Sequence, residues 1–123
     1  MVQEVSLELL HVAMNMAQAK HKVAANNIAM ANIKGAEKTS IDFQSVITAL
    51  KNTQGADREE LLAKIKNNWQ MVEKKSMSHM NDEIKLDQET AKVLEASGQY
   101  KLLADTLNRK LGLMKLAVLG GKR

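Results

Sequence analysis

The stretch Ala25-Asn26-Asn27-Ile28-Ala29-Met30-Ala31-Asn32 closes a run of apolar residues that repeats with helical spacing from Val5 onward. Asparagine is a poor residue for a helix interior, because its amide competes with the backbone for hydrogen bonds. Three of these eight positions are Asn, so a helix that reaches Asn32 has a use for those amides. Upstream, Val5, Leu9, Val12, Met16, Ala19, Val23, Asn26 and Met30 alternate in steps of four and three, which is a heptad seam. A second row, Leu10, Ala13, Ala17, Ala24 and Ile28, runs beside it. The combined arc is wider than a two-stranded seam needs. The spacing therefore predicts a helix over about residues 5–31 that touches more than one neighbour.

Past that helix, Gly35 supplies a residue able to take positive φ. Phe43, Val46, Ile47 and Leu50 predict a short second helix, and Asn52-Thr53-Gln54-Gly55 reads as a loop. Asp57 with Glu60 is a variant capping box for a third helix whose face is Leu62, Ile65, Trp69 and Val72. Residues 76–85 have no period and read as a connector with an extended piece around Ile84. Asp87 is a good N-cap for a last helix. Leu86, Thr90, Val93, Ser97, Tyr100, Ala104, Leu107, Leu111, Met114 and Val118 keep the heptad alternation along it, and Gly120-Gly121 ends it. Gly98 and Gly112 weaken that helix by about 1 kcal/mol each relative to Ala, which suits a segment that orders on assembly.

A chain of 123 residues makes one domain. Hydrophobic residues reach 45%, yet there is one Phe, one Tyr and one Trp, so the core must be aliphatic and Met-rich. Proline, the commonest helix stop, is absent. The expected class is all-α and elongated: two long terminal heptad helices packing as a coiled-coil-like pair. Residues 1–33 and 86–123 would be the assembly helices, and residues 34–85 a turn, short helices and connector within the same structural unit.

Chemistry is sparse. Without Cys there is no disulfide, thiolate nucleophile or cysteine metal site. The net charge of +4 comes from 18 basic and 14 acidic side chains that are interspersed; only Lys74-Lys75 and Lys122-Arg123 are dense, which argues against nucleic acid. No H-E-x-x-H spacing occurs, and Glu59-Glu60 and Asp82-Glu83 are neighbours without a predicted pocket. His21-Lys22 would serve a histidine phosphotransfer bundle, with His21 facing solvent between Ala19 and Val23, but an exposed His on a helix is ordinarily just that. The eight Met residues fill core or subunit contacts more readily than an adaptable groove. A membrane-surface helix would want aromatics that the terminal helices lack. No basic-fronted apolar run occupies residues 1–30 and no stretch of 18 apolar residues exists, so neither a cleaved signal nor a membrane span is expected. The expectation is a non-enzyme with no catalytic, metal or cofactor-binding residues and no small-molecule substrate.

The chain resembles the bacterial flagellar basal-body rod proteins, most closely those of the proximal rod. That family carries A-N-N-I-A-N-A-N-T-P-G-Y-K followed by D-x-D-F. Ala25, Asn26, Asn27, Ile28, Ala29, Ala31, Asn32 and Gly35 match without a gap, and Asp42-Phe43 follow at a fitting distance. Nearer the C-terminus, Ile84-Lys85-Leu86-Asp87-Gln88-Glu89 is similar to a V-D-L-D-K-E segment that precedes a Tyr-containing helix, here Ser97-Gly98-Gln99-Tyr100. Met30 replaces an Asn, Ile33-Lys34 replace Thr-Pro, Ala36-Glu37 replace Tyr-Lys, and Ser40 stands where the first Asp would be.

The resemblance implies a structural subunit that works by packing. It would leave the cytoplasm through the flagellar type III export apparatus without a cleaved signal and reside in the periplasmic rod of the basal body. Its implied partners are other copies of itself, other rod proteins, the rod-to-ring adaptor and the membrane-embedded ring. The expected assembly interface comprises Val12, Met16, Val23, Asn26, Asn27, Ile28, Asn32 and Gly35 at one end. Asp42 and Phe43 follow, and Tyr100, Leu103, Leu107, Leu111 and Met114 complete it. Taken alone, Asn26, Asn27 and Asn32 would cap and fray a helix end; the resemblance makes them inter-subunit hydrogen-bonding groups. Asp42-Phe43 fit a cap and a core anchor, and Tyr100 fits a seam residue whose hydroxyl reaches a partner. The alternative function is a small helical adaptor or signalling bundle of the phosphotransfer kind.

Overall fold

The computed structural model describes residues 6–120. Val5 at the head of the seam, and Gly121, Lys122 and Arg123 at the other end, lie outside the described residues. The first helix, α1 (Leu7–Met30), starts where Ser6 accepts a hydrogen bond from the Leu9 N–H at 3.0 Å. This satisfies one of the four N–H groups that a helix start leaves without a partner. After a turn in which Gly35 takes φ +81°, a strand β1 (Lys38–Ile41) leads into α2 (Gln44–Lys51). Then come α3 (Gly55–Asn67), α4 (Trp69–Ser76), a second strand β2 (Met77–Met80) and the long α5 (Leu86–Gly120).

The protein is mostly helical, and α1 packs on α5. Asn27 lies beside Glu89, while Gln18 and His21 lie beside Ala96 and Tyr100, so the two helices run antiparallel. On the other side of α1, Val12 meets Leu62 and Ile65 of α3 in the buried core. Leu9, Met16, Val46, Leu50, Trp69 and Val72 pack around that cluster. One helix thus serves two neighbours, as its broad apolar arc requires.

Several local expectations are corrected. The middle carries a two-stranded antiparallel ribbon, with Lys38 opposite Met80 and Ile41 opposite Met77, so the chain is not purely helical. Four-residue strands are too short to show alternation in sequence, and the extended piece falls at residues 77–80 rather than around Ile84. The expected third helix is two helices that break at Asn68 (φ −116°, ψ 31°), whose side-chain N–H donates to the Lys64 carbonyl at 2.9 Å. That amide takes a carbonyl at the helix end and so stabilises the break. Asp57 and Asp87 sit in first turns rather than at caps, because α3 begins at Gly55 (φ +58°) and α5 at Leu86.

The α5 face that meets α1 shares the half-buried Val93, Ser97, Ala104 and Leu107 with the register read in sequence, while its two buried residues lie outside that register. Glu89 and Ala96 are its buried residues, and Val93, Leu103, Leu107 and Lys110 are half-buried. Counted back from Asn27 opposite Glu89, the start of α1 at Leu7 reaches roughly Arg109. Every residue from Leu111 to Gly120 is exposed. Among the described residues no helix is long and apolar enough to cross a membrane.

Leu62 is fully buried, whereas Leu102 is 68% exposed. Leu62→Ala should cost about 2–5 kcal/mol, and Leu102→Ala less than about 0.5 kcal/mol. Urea unfolding of the two variants at one low protein concentration measures this; similar losses in both would contradict the assignment of the core.

Candidate assembly interface

The Asn-rich end of α1 divides sharply. Asn26 and Asn32 are exposed, while Asn27 is buried. The Asn27 Nδ2 donates to the Thr39 carbonyl at 2.8 Å, and its Oδ1 accepts from the Thr39 N–H at 2.9 Å. A second Nδ2 hydrogen bond reaches Glu89 Oε2 at 3.2 Å. Both amide hydrogens and the carbonyl oxygen are therefore engaged within the chain. The expectation that Asn27 bonds a neighbouring subunit gives way to an intrachain role.

Thr39 explains why an amide is needed there. It sits opposite His79 in the ribbon, and the Asp42 N–H donates to the Ser76 carbonyl at 3.0 Å. Ser40 and Lys38, two and four positions before Asp42, therefore also face β2 with their backbone groups, while Ile41 and Thr39 between them face away. That alternation turns the Thr39 backbone away from β2 and towards α1. Buried backbone groups left without partners are costly. Asn27 completes them, standing in for a third strand, while Thr39 Oγ1 lies 3.1 Å from His79 Nδ1.

Glu89 closes the node from α5. It is 0% exposed, with Lys92 Nζ at 3.4 Å and Lys38 Nζ at 3.9 Å from Oε1. A buried carboxylate persists only when paired and hydrogen-bonded, and the two lysines with Asn27 provide that. A recess of about 210 Å³ beside it is lined by Lys20, Asn27, Glu89, Lys92 and Glu95 among others. Of its charged groups, Glu89 and Lys92 are paired with each other.

The other expected interface residues fall into three groups. Val12 and Val23 are buried within the chain, as is Phe43, whose ring lies 5.5 Å from that of Trp69. Met16, Ile28, Leu103 and Leu107 are half-buried. Asp42 is exposed and accepts from the Gln44 N–H at 2.9 Å, one position ahead of the α2 cap, which Phe43 holds. Gly35, Tyr100, Leu111 and Met114 are exposed. His21 is half-buried against Ala96 and Tyr100 rather than facing solvent. Among the described residues no group of three or more His, Cys, Asp or Glu could hold a metal ion.

Glu89, Thr39 and Lys38 escaped the sequence reading as functional positions. One signal was available for Glu89. It shares a four-three register with Val93, Ala96, Tyr100, Leu103 and Leu107, so an acid occupies an otherwise apolar row. Thr39 carried no such signal.

Asn27→Ala would leave the Thr39 N–H and carbonyl buried without partners, at about 1–3 kcal/mol for each unsatisfied group. Asn27→Asp, almost the same shape, would set an oxygen against Glu89 Oε2 and the Thr39 carbonyl. Both variants should unfold at clearly lower urea than the parent at neutral pH, and a neutral Asn27→Asp would contradict the node. Set against known proteins, the chain matches no family model, no curated protein and no solved structure.

Proposed function

We propose that this chain is a structural subunit of the bacterial flagellar basal-body rod, of the proximal kind. The observation that supports the reading best is the second apolar face of α5. Leu94 and Leu102 are each 68% exposed, Leu113 67% and Leu116 66%. At about 100° per residue Leu94 and Leu116 lie on the side of the helix opposite Glu89, Ala96 and Leu103, and Leu102 and Leu113 lie on the flank beside it. The helix therefore offers one face to α1 and another to a neighbour, and among the described residues its last ten are exposed all round. Exposed apolar surface concentrated as it is from Leu111 to Leu119 marks an interaction site.

The Ala25–Asn32 pattern, Gly35 and Asp42-Phe43 say which assembly. Other copies of the chain and other rod proteins pack against α5 and against the exposed Asn26 and Asn32. The resulting shaft links the membrane-embedded ring, through the rod-to-ring adaptor, to the distal rod and hook. Export through the flagellar type III apparatus without a cleaved signal and a periplasmic location belong to the same reading. The chain needs no cofactor for this work and carries out no reaction.

Deleting the gene and imaging isolated basal bodies by electron microscopy tests the assignment; a missing or truncated rod is expected, and intact flagella would refute it. Leu113→Gln with Leu116→Gln should abolish motility while leaving the thermal midpoint of the purified protein within a few degrees of the parent. Normal swimming in that double variant would count against α5 as an assembly helix.

A further inference from the structure

We propose that the outer face of α5 between Asp87 and Arg109 pairs with the same face of a second copy, antiparallel and centred on Gly98. At about 100° per residue, Asp87, Ala91, Leu94, Leu102, Asp105 and Arg109 all lie within about 40° of Gly98 around the helix. The buried Glu89 and Ala96 lie about 160–180° from it, on the side that meets α1. Every residue of this outer face is exposed, and Leu94 and Leu102 are each 68% so.

Gly98 marks the crossing. A Cβ added there would meet nothing within 4 Å, so the chain's own packing gives no reason for a residue that loosens a helix. A second helix does, because two backbones approach closely where no Cβ stands between them. A two-fold axis at Gly98 sets residues equally far before and after it opposite each other. Leu94 of each copy then faces Leu102 of the other, one turn to either side of the crossing. Ala91 faces Asp105, and Asp87 faces Arg109.

Electrostatics select a second copy and its direction. Among the described residues Asp87, Asp105 and Arg109 form no ion pair. Within about 60° of Gly98, the half of the face before it carries Asp87 and Glu95, and the half after it carries Lys101, Asp105 and Arg109. Antiparallel pairing brings the acidic half of one copy to the net basic half of the other. Asp105 falls beside Ala91 of the second copy and one turn from Arg109 of its own helix. Parallel pairing would set Asp87 against Asp87 and Arg109 against Arg109, which like-charge repulsion disfavours.

The contact is isologous, so it closes as a dimer and adds no third copy. It is a state of the free protein and goes beyond the rod reading. A rod neighbour that packs on this face must first displace the second copy.

The chain has no cysteine, so engineered thiols report the register directly. Full-length Leu94→Cys, carrying a mass tag, is mixed with full-length Leu102→Cys under mild oxidation. The mixed disulfide should exceed either homodisulfide by about tenfold, as pairing raises the effective thiol concentration. Homodisulfides that match or exceed it would overturn the antiparallel register. A charge swap keeps the test independent of those leucines. Asp87→Lys and Arg109→Glu should each weaken dimerisation in sedimentation velocity by about tenfold, because each sets like charges together at both ends of the pair. An equimolar mixture of the two variants should restore it, and a mixture no tighter than either variant alone would overturn the pairing. A parent that stays monomeric at every concentration would also overturn it and leave the rod reading standing. Intact flagella after gene deletion would refute that reading, while the mixed disulfide still upheld the pair.

Discussion

The side chain of Asn27 makes towards Thr39 the two hydrogen bonds that an adjacent strand would make, and the rest of the structure depends on it. An isolated two-stranded ribbon is marginal in water. Here its inner edge is completed by an amide from α1 and joined to α5 through Glu89. The node thereby fixes three elements that are distant in sequence. Because the buried Glu89 is held by Asn27 and Lys38 from other elements, sliding α5 along α1 would strip the carboxylate of both and leave it with Lys92 of its own helix. Register between the long helices is thus set by polar groups at one end, and the apolar residues fill the space that remains.

This division of labour shapes the function. Small buried residues, Ala24 of α1 and Ala96 of α5, stand together beside the node, so the helices meet there without bulky side chains. The large aliphatic side chains of α5 consequently remain on its outer face and on the part that extends beyond α1. An assembly subunit needs such a helix, anchored firmly at one end and apolar where its own chain offers nothing to bury it. The proposed rod function and the proposed two-fold pair are both consequences of that unequal distribution.

Much of this was legible in the sequence. The heptad spacing located α1 and α5, the aromatic-aliphatic face from Phe43 to Leu50 located α2, and Gly35 marked the turn with positive φ. The ribbon was not legible, because Lys38–Ile41 and Met77–Met80 gain their order from Asn27 and from each other, contacts that no local pattern announces. The Asn block was singled out for the right physical reason, since an amide inside a helix must have a partner, but composition could not say which of its members turned inward. The α5 face was read in part: Val93, Ser97, Ala104 and Leu107 of the expected seam are half-buried, whereas the two buried residues, Glu89 and Ala96, lie one row away, Glu89 because the node selects it.

The central claim is that α5 lacks part of its packing until another molecule supplies it. Amide hydrogen exchange along α5, followed over a wide range of protein concentration, tests this most directly. The account predicts that residues 86–107 are protected at all concentrations, while protection at residues 111–120 is slight in dilute solution and rises steeply as the protein is concentrated. Strong protection of residues 111–120 that does not change with concentration would contradict it.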